Sequence, residues 1–309
     1  MKSYILALSR FFFVVLGILV LIAAVNFPYH YDAPLTRQEI DAAQKYYSNA
    51  YLKTAEPRQT QGGHETQYLR LAVQATKDFA IEEQVGAFVD RYNLKDKAVL
   101  EVGSGRGHLQ DFVEDYTGLD ISPTVAPLYH KKFVLGSATA LPFADNTFDA
   151  LWSIWVFEHV PNPEQAFSEA RRVTRNGGVL FLLPAWNAPV WAADGYSVRP
   201  YSDFGPVGKL IKASVPLRTT LGFKAATVLP VRMIRSLATF GPSKLRYRRL
   251  KPNYEQYWVV DSDAVNSIDS YEALLWFTSR GDECLNCGAD PLFFPVAHTP
   301  LIIRVQKSN

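Results

Sequence analysis

The stretch VLEVGSGRGHL, residues 99–109, places three glycines, an acid and an arginine behind residues suited to a buried strand. A glycine-rich turn after a strand lets a ligand approach the backbone closely. The spacing then narrows the ligand. Gly103, Gly105 and Gly107 alternate as G-x-G-x-G, His108 occupies the slot where a dinucleotide loop needs its third glycine, and no G-x-x-x-x-G-K-[ST] follows. A phosphate loop is therefore excluded and a dinucleotide disfavoured. Glu101, two residues before the first glycine, suits a cationic or amine-bearing ligand better than a diphosphate. Asp120 closes the next apolar run, where an acid can accept hydrogen bonds from both ribose hydroxyls. His159 and Glu158, just past a later strand, are the candidate general bases. Their structural alternative is a turn-capping histidine and a solvated acid. His108 and His130 read as surface histidines, whereas Tyr196, Tyr201 and Asp203 could line an acceptor pocket.

These residues need a scaffold, and strand and helix signals alternate around them. Apolar runs at 98–103, 116–122, 131–137, 147–155 and 179–186 read as strands. A helix is expected from about His108 to Asp115 and another over 163–174 behind Pro163. The last quarter repeats the pattern, with a helix over about 270–279, a strand after Gly281 and a final strand within 299–307. Upstream, 66–92 has apolar residues at helical spacing, and Thr36 with Glu39 forms a capping pattern for a helix over 36–52. Such alternation predicts a parallel sheet with helices on both faces.

Taken together, E-x-G-x-G-x-G at 101–107 with Asp120 resembles motif I and the ribose acid of class I S-adenosylmethionine-dependent methyltransferases. The segment 136–184 resembles the type 11 group, with its LPF turn, F-D-A strand, E-H-V-P segment, R-R-V helix end and N-G-G turn. The resemblance covers roughly 95–186 well and 260–307 weakly. It implies an α/β, doubly wound, seven-stranded Rossmann-like sheet whose last strand runs antiparallel, with S-adenosyl-L-methionine as cofactor. By position, Glu101, Gly103, Ser104, Gly105 and Gly107 would line the methionine and ribose side. Asp120 and Ile121 would hold ribose and adenine, Ser137, Ala138 and Leu141 would flank the adenine, and Ser153 with Ile154 would close the far side. Many relatives carry an acid where this chain has Ser137, which can still hydrogen-bond an adenine amino group. His159 and Glu158 are the expected catalytic pair.

Outside the core, Phe11–Val25 is a fifteen-residue uncharged run that reaches the ~20 residues of a bilayer span only if counted on to Tyr29. Residues 1–29 are read as a transmembrane signal anchor, ahead of a cleaved signal peptide or a buried helix, which makes the chain a single-pass membrane protein. Lys2 and Arg10 send the bulk of the chain across by the positive-inside rule, whereas a cytosolic cofactor favours the cytosolic face. The remaining divisions are a stem and leading helices at 30–92, a cofactor core at 93–186, an insert at 187–257 and the end of the fold at 258–309. From Val207 to Lys251 there are eleven Lys or Arg and no Asp or Glu, interleaved with large apolar residues. That mixture suggests an acceptor cap or a contact with an anionic membrane surface. The expected acceptor is a small-molecule, glycan or lipid-linked compound, with membrane contact through residues 4–29 and 207–251. The net charge of +2 gives no hint of nucleic acid. Cys284-x-x-Cys287 lacks the further ligands of a zinc site, so no metal is expected, and it reads as incidental thiols or a local disulfide. The rival readings are a non-catalytic cofactor-binding scaffold and, against the glycine spacing, a nicotinamide oxidoreductase.

Overall fold

The computed structural model describes residues 2–26, 36–52, 64–189, 191–238, 241–254, 259–288 and 299–307. Its centre is a seven-stranded sheet in the order β3-β2-β1-β4-β5-β9-β8. The strands are β1 (Ala98–Val102), β2 (Asp115–Asp120), β3 (Lys132–Leu135), β4 (Phe148–Ile154), β5 (Thr174–Leu183), β8 (Glu283–Cys284) and β9 (Leu301–Arg304). The first five are parallel, and β9 inserts antiparallel between β5 and β8. Strand order reverses between β1 and β4, and both glycine loop and His159 follow the carboxyl ends of those strands. Such a crevice is where open α/β sheets bind ligands.

Both faces of the sheet are covered. Helix α4 (Ile81–Arg91) packs Ile81, Val85, Phe88 and Val89 against Val99, Trp152 and Phe181. On the other face, Phe167 of α5 (Pro163–Val173) meets Trp276 and Phe277 of α8 (Ser270–Thr278). The expected helix over 108–115 is only a 3-10 turn, Gln110–Phe112, because β2 already begins at Asp115 and the remaining stretch is too short to sustain two α-helical turns. The β2–β3 link is likewise 3-10, with Pro123 and Pro127 removing backbone donors. Cys284 and Cys287 form a disulfide beside β8.

Two leading helices stand over the strand ends. The capping box at Thr36 forms as expected: the Glu39 N–H donates to Thr36 Oγ1 at 3.3 Å and the Thr36 N–H to Glu39 Oε2 at 3.1 Å. It opens α2 (Arg37–Leu52), which is tied to the end of β2 by Gln44 Nε2 donating to the Ile121 carbonyl at 3.0 Å. Helix α3 (His64–Asp78) is separated from α4 by Ala80, whose φ is 49°.

The N-terminal reading requires correction. Helix α1 runs Lys2–Asn26, but among the described residues no helix is long and apolar enough to cross a membrane. Lys2, Ser9 and Arg10 interrupt its first turns, so the continuous apolar run is only Phe11–Val25, short of the ~20 residues a span requires. Residues 27–29, which the longer count needed, lie outside the described residues. The transmembrane anchor and the single-pass membrane location drawn from it are therefore not supported. Instead α1 lies against α7 (Leu221–Ala238), which itself follows α6 (Pro206–Arg218). The basic charge of this region is partly internal: Arg232 and Arg235 on α7 are buried and paired with Asp269 and Glu272. A separate antiparallel pair, β6 (Tyr247–Arg249) and β7 (Asn266–Ile268), completes the fold.

Candidate functional site

The three glycines after β1 all have positive φ, at 72°, 49° and 70°. At Gly103 a Cβ would fall 2.2 Å from Val156 Cγ2, so any side chain would displace the β4 loop. The turn is fastened to the second strand, because the N–H groups of Gly103 and Ser104 both donate to the Leu119 carbonyl. Asp120 sits beside it, with Oδ2 accepting from the Gly105 N–H and Oδ1 from the Ser122 N–H, each at 2.9 Å. Burial pushes its carboxyl above the ordinary range, and these N–H groups pull against that shift. Its remaining lone pairs can accept hydroxyls.

Glu101 is 6% exposed and accepts from the Tyr116 hydroxyl. Burial pushes its carboxyl up to about 8, opposed by the hydrogen bond from Tyr116. A positively charged ligand group beside it would supply the missing counter-charge.

One cavity joins these groups to the candidate base. Of the residues expected at the cofactor, Glu101, Gly103, Ser104, Gly105, Asp120, Ile121, Ser137, Ala138 and Ile154 line it. The others lie behind its wall. Gly107 packs beneath Tyr129, Leu141 is in the core, and the buried Ser153 hydroxyl donates to the Val102 carbonyl. His159 lines the same cavity, whereas Glu158 lies beneath it, 1% exposed. Burial lifts the Glu158 carboxyl to about 7, against the pull of His159.

The opposite wall is the part sequence reasoning missed. Tyr47 and Tyr51 of α2, with Val73 and Thr76 of α3, face the cradle across the cavity. The capped helix 36–52 is visible in the sequence, but the cleft that its tyrosines cover is not. Tyr196, Tyr201 and Asp203 are elsewhere: Tyr196 stacks on Phe204, and Asp203 approaches Arg199. The described lining residues include none from 187–257. His130 faces Asp111 on the surface, and His108 reaches the cavity edge.

The residues fit the cofactor implied by the resemblance. Bare backbone at Gly103 and Gly105 admits close approach, Asp120 offers a ribose-binding acid, and Glu101 lacks only a cationic partner. S-adenosyl-L-methionine carries both a ribose and positive charge, and the cavity holds no cluster suited to a metal among the described residues.

Comparison with known proteins finds one domain match and several partial similarities. Residues 100–182 match a family described as a methyltransferase domain. An uncharacterized methyltransferase of Mycolicibacterium gilvum is 37% identical over 109 residues, 31% of this chain and 43% of that protein. Malonyl-[acyl-carrier protein] O-methyltransferase 1 of Coxiella burnetii is 27% identical over 43% of this chain and 51% of its own length. A solved structure of a SAM dependent methyltransferase from Aquifex aeolicus is 19% identical, covering 35% of this chain and 65% of that one with a TM-score of 0.30. The chain thus spans about half the length, or less, of these curated relatives. The methyltransferase-domain match thus falls on the glycine turn, Asp120 and the β4 loop of this chain.

Proposed function

We propose that the whole chain transfers a methyl group from S-adenosylmethionine to an acceptor seated between the glycine turn and α2 and α3. The observation that carries this reading is the single cavity shared by Glu101, Gly105, Asp120 and His159. A methyl transferase must bring an electrophilic methyl and a nucleophile into line, which requires one enclosed space for both. Asp120 and Glu101 would hold the cofactor, and His159 would stand on the acceptor side as the proton-accepting residue. Glu158, beneath the cavity surface, would act on His159 rather than on the acceptor.

Calorimetric titration tests cofactor binding directly, with Asp120→Ala expected to weaken it at least about a hundredfold through loss of a charge-assisted hydrogen-bond acceptor. Transfer of labelled methyl groups into fractionated small molecules, glycans and lipids identifies the acceptor. Failure of the intact chain to bind S-adenosylmethionine at millimolar concentration would sink the reading.

A further inference from the structure

The turn that carries His159 is gripped from the distant end of the chain. The Val265 N–H donates to the Glu158 carbonyl at 2.9 Å, and Asn266 Nδ2 donates to the Phe157 and Val160 carbonyls at 2.9 and 2.7 Å. The same segment supplies Asp263, which is 1% exposed. Its Oδ2 accepts from the Tyr47 hydroxyl of α2 at 3.0 Å and lies 3.7 Å from His159 Nδ1, whose hydrogen-bond partner is the Asp263 carbonyl at 3.3 Å. The Tyr47 ring meets the imidazole edge-on, with centroids 5.8 Å apart. His159 Nε2 is 3.7 Å from Glu158 Oε1, and Asp261 and Tyr254 flank the Asp263 carboxylate.

This arrangement favours one protonation chemistry. Burial alone would hold the imidazole uncharged, yet Asp263, Glu158 and Asp261 together raise its affinity for a proton above the ordinary value. A ring so placed is a good proton acceptor, because the imidazolium that forms is stabilised where it forms. The surrounding wall is mainly apolar, through Ile40, Ala43, Val73, Val160 and Pro161. A carboxylate acceptor on that wall would confront Glu39 and the acids behind His159, at a like-charge cost, while the cation among the described lining residues, Arg106, belongs to the glycine turn opposite. A charged ammonium would be drawn to those same acids, but it would lose its water against the apolar walls and has no lone pair with which to attack a methyl group. An uncharged hydroxyl meets neither penalty.

We propose that Asp263, held by Tyr47, is a positioning residue that readies His159 to take the proton of a hydroxyl borne on an uncharged, apolar acceptor. This rests on the methyl-transfer reading above. The O–H bond breaks as its proton passes to the His159 ring, and an oxygen electron pair forms the new O–CH3 bond. The electrons of the broken S–CH3 bond stay on sulfur, so the products are a methyl ether, S-adenosylhomocysteine and protonated His159.

The test uses the full chain without and with cofactor. In the cofactor-free protein, the His159 imidazole is titrated by nuclear magnetic resonance. Asp263→Asn should move that titration about one pH unit lower, since an opposite charge within ~4 Å is removed, and Tyr47→Phe should move it in either direction by less. The low-pH limb of methyl transfer should shift with it, which a merely structural role for Asp263 would not produce. Circular dichroism of both variants checks that they fold. For the acceptor class, 1-octanol, octanoate and octylamine share one apolar body and are titrated against intrinsic fluorescence. Octanol should bind about tenfold more tightly than either charged probe, a difference of ~1.4 kcal/mol. An unmoved His159 titration in folded Asp263→Asn overturns the positioning role. Tighter binding of octanoate or octylamine, or no binding of octanol, overturns the acceptor class. Absence of S-adenosylmethionine binding is read separately by calorimetry and would overturn only the parent reading.

Discussion

At the strand ends around Asp120, buried charges are met by backbone N–H groups and hydroxyls, whereas α1, α6 and α7 leave Phe12, Leu210 and Leu237 at 62%, 73% and 77% exposure. In the first region polar atoms are packed inward and fixed; in the second, large apolar side chains face outward. The two meet on α7, whose outer side carries Met233 and Ile234 while its inner side buries Arg232 and Arg235. The difference teaches that the basic composition of 207–251 is not all surface charge. Part of it is an internal anchor for α7, since Asp269 accepts from Arg232 Nε at 2.9 Å and also caps α8 through the Tyr271 N–H.

The comparison can be broken most forcefully at that anchor. Arg232→Ala should destabilise the fold by about 3–5 kcal/mol in chemical denaturation, because it strands a buried carboxylate. A loss below about 1 kcal/mol would mean that the pair is not the anchor of α7. Next in size is Gly103→Ala, which must both retain a left-handed backbone and push Val156 aside. It should cost about 1–3 kcal/mol of stability and weaken cofactor binding in calorimetry, without touching the α7 face.

A subtler probe is protonic. In the cofactor-free protein the Glu101 carboxyl is pushed up to about 8 from an ordinary 4.5. Its raised value favours the folded state fully below about 4.5, and that contribution fades as pH climbs toward 8. A cation placed beside Glu101 favours the ionised form, so cofactor binding should release up to one proton between those limits and tighten by at most about tenfold per pH unit. Calorimetry in buffers of different ionisation heat reads the release directly; proton uptake, or none at pH 6.5, would contradict the role of Glu101. Smallest of all, Phe12→Ser on α1 should change stability by less than about 0.5 kcal/mol, as its side chain is exposed.

The cradle was legible in the sequence because it is contiguous. Glu101 and the glycines lie within seven residues, and Asp120 closes the next strand, so spacing alone identified a ligand-binding strand end. The sheet was largely legible, since β1 to β4 fall on the expected runs, although β5 begins at Thr174 and takes in the N-G-G read as a turn before 179–186. The α2 and α3 wall was not, because nothing in the pattern of a capped polar helix says which cleft it will cover. Asp263 was invisible for the same reason: its bond to Tyr47 spans 216 residues. The expected helix after β1 is absent because β2 begins at Asp115 and leaves room only for the 3-10 turn Gln110–Phe112. The N-terminal helix exists, but the apolar length inside it is shorter than the count to Tyr29 assumed.

The grip of Val265 and Asn266 on the Phe157–His159 turn has a consequence for how the molecule is made. During synthesis the cofactor cradle, from Glu101 to Ile154, emerges more than a hundred residues before the segment that fixes His159. Contacts so far apart in the chain close late. A nascent chain therefore carries the glycine turn and Asp120 well before the segment that holds the His159 turn in place.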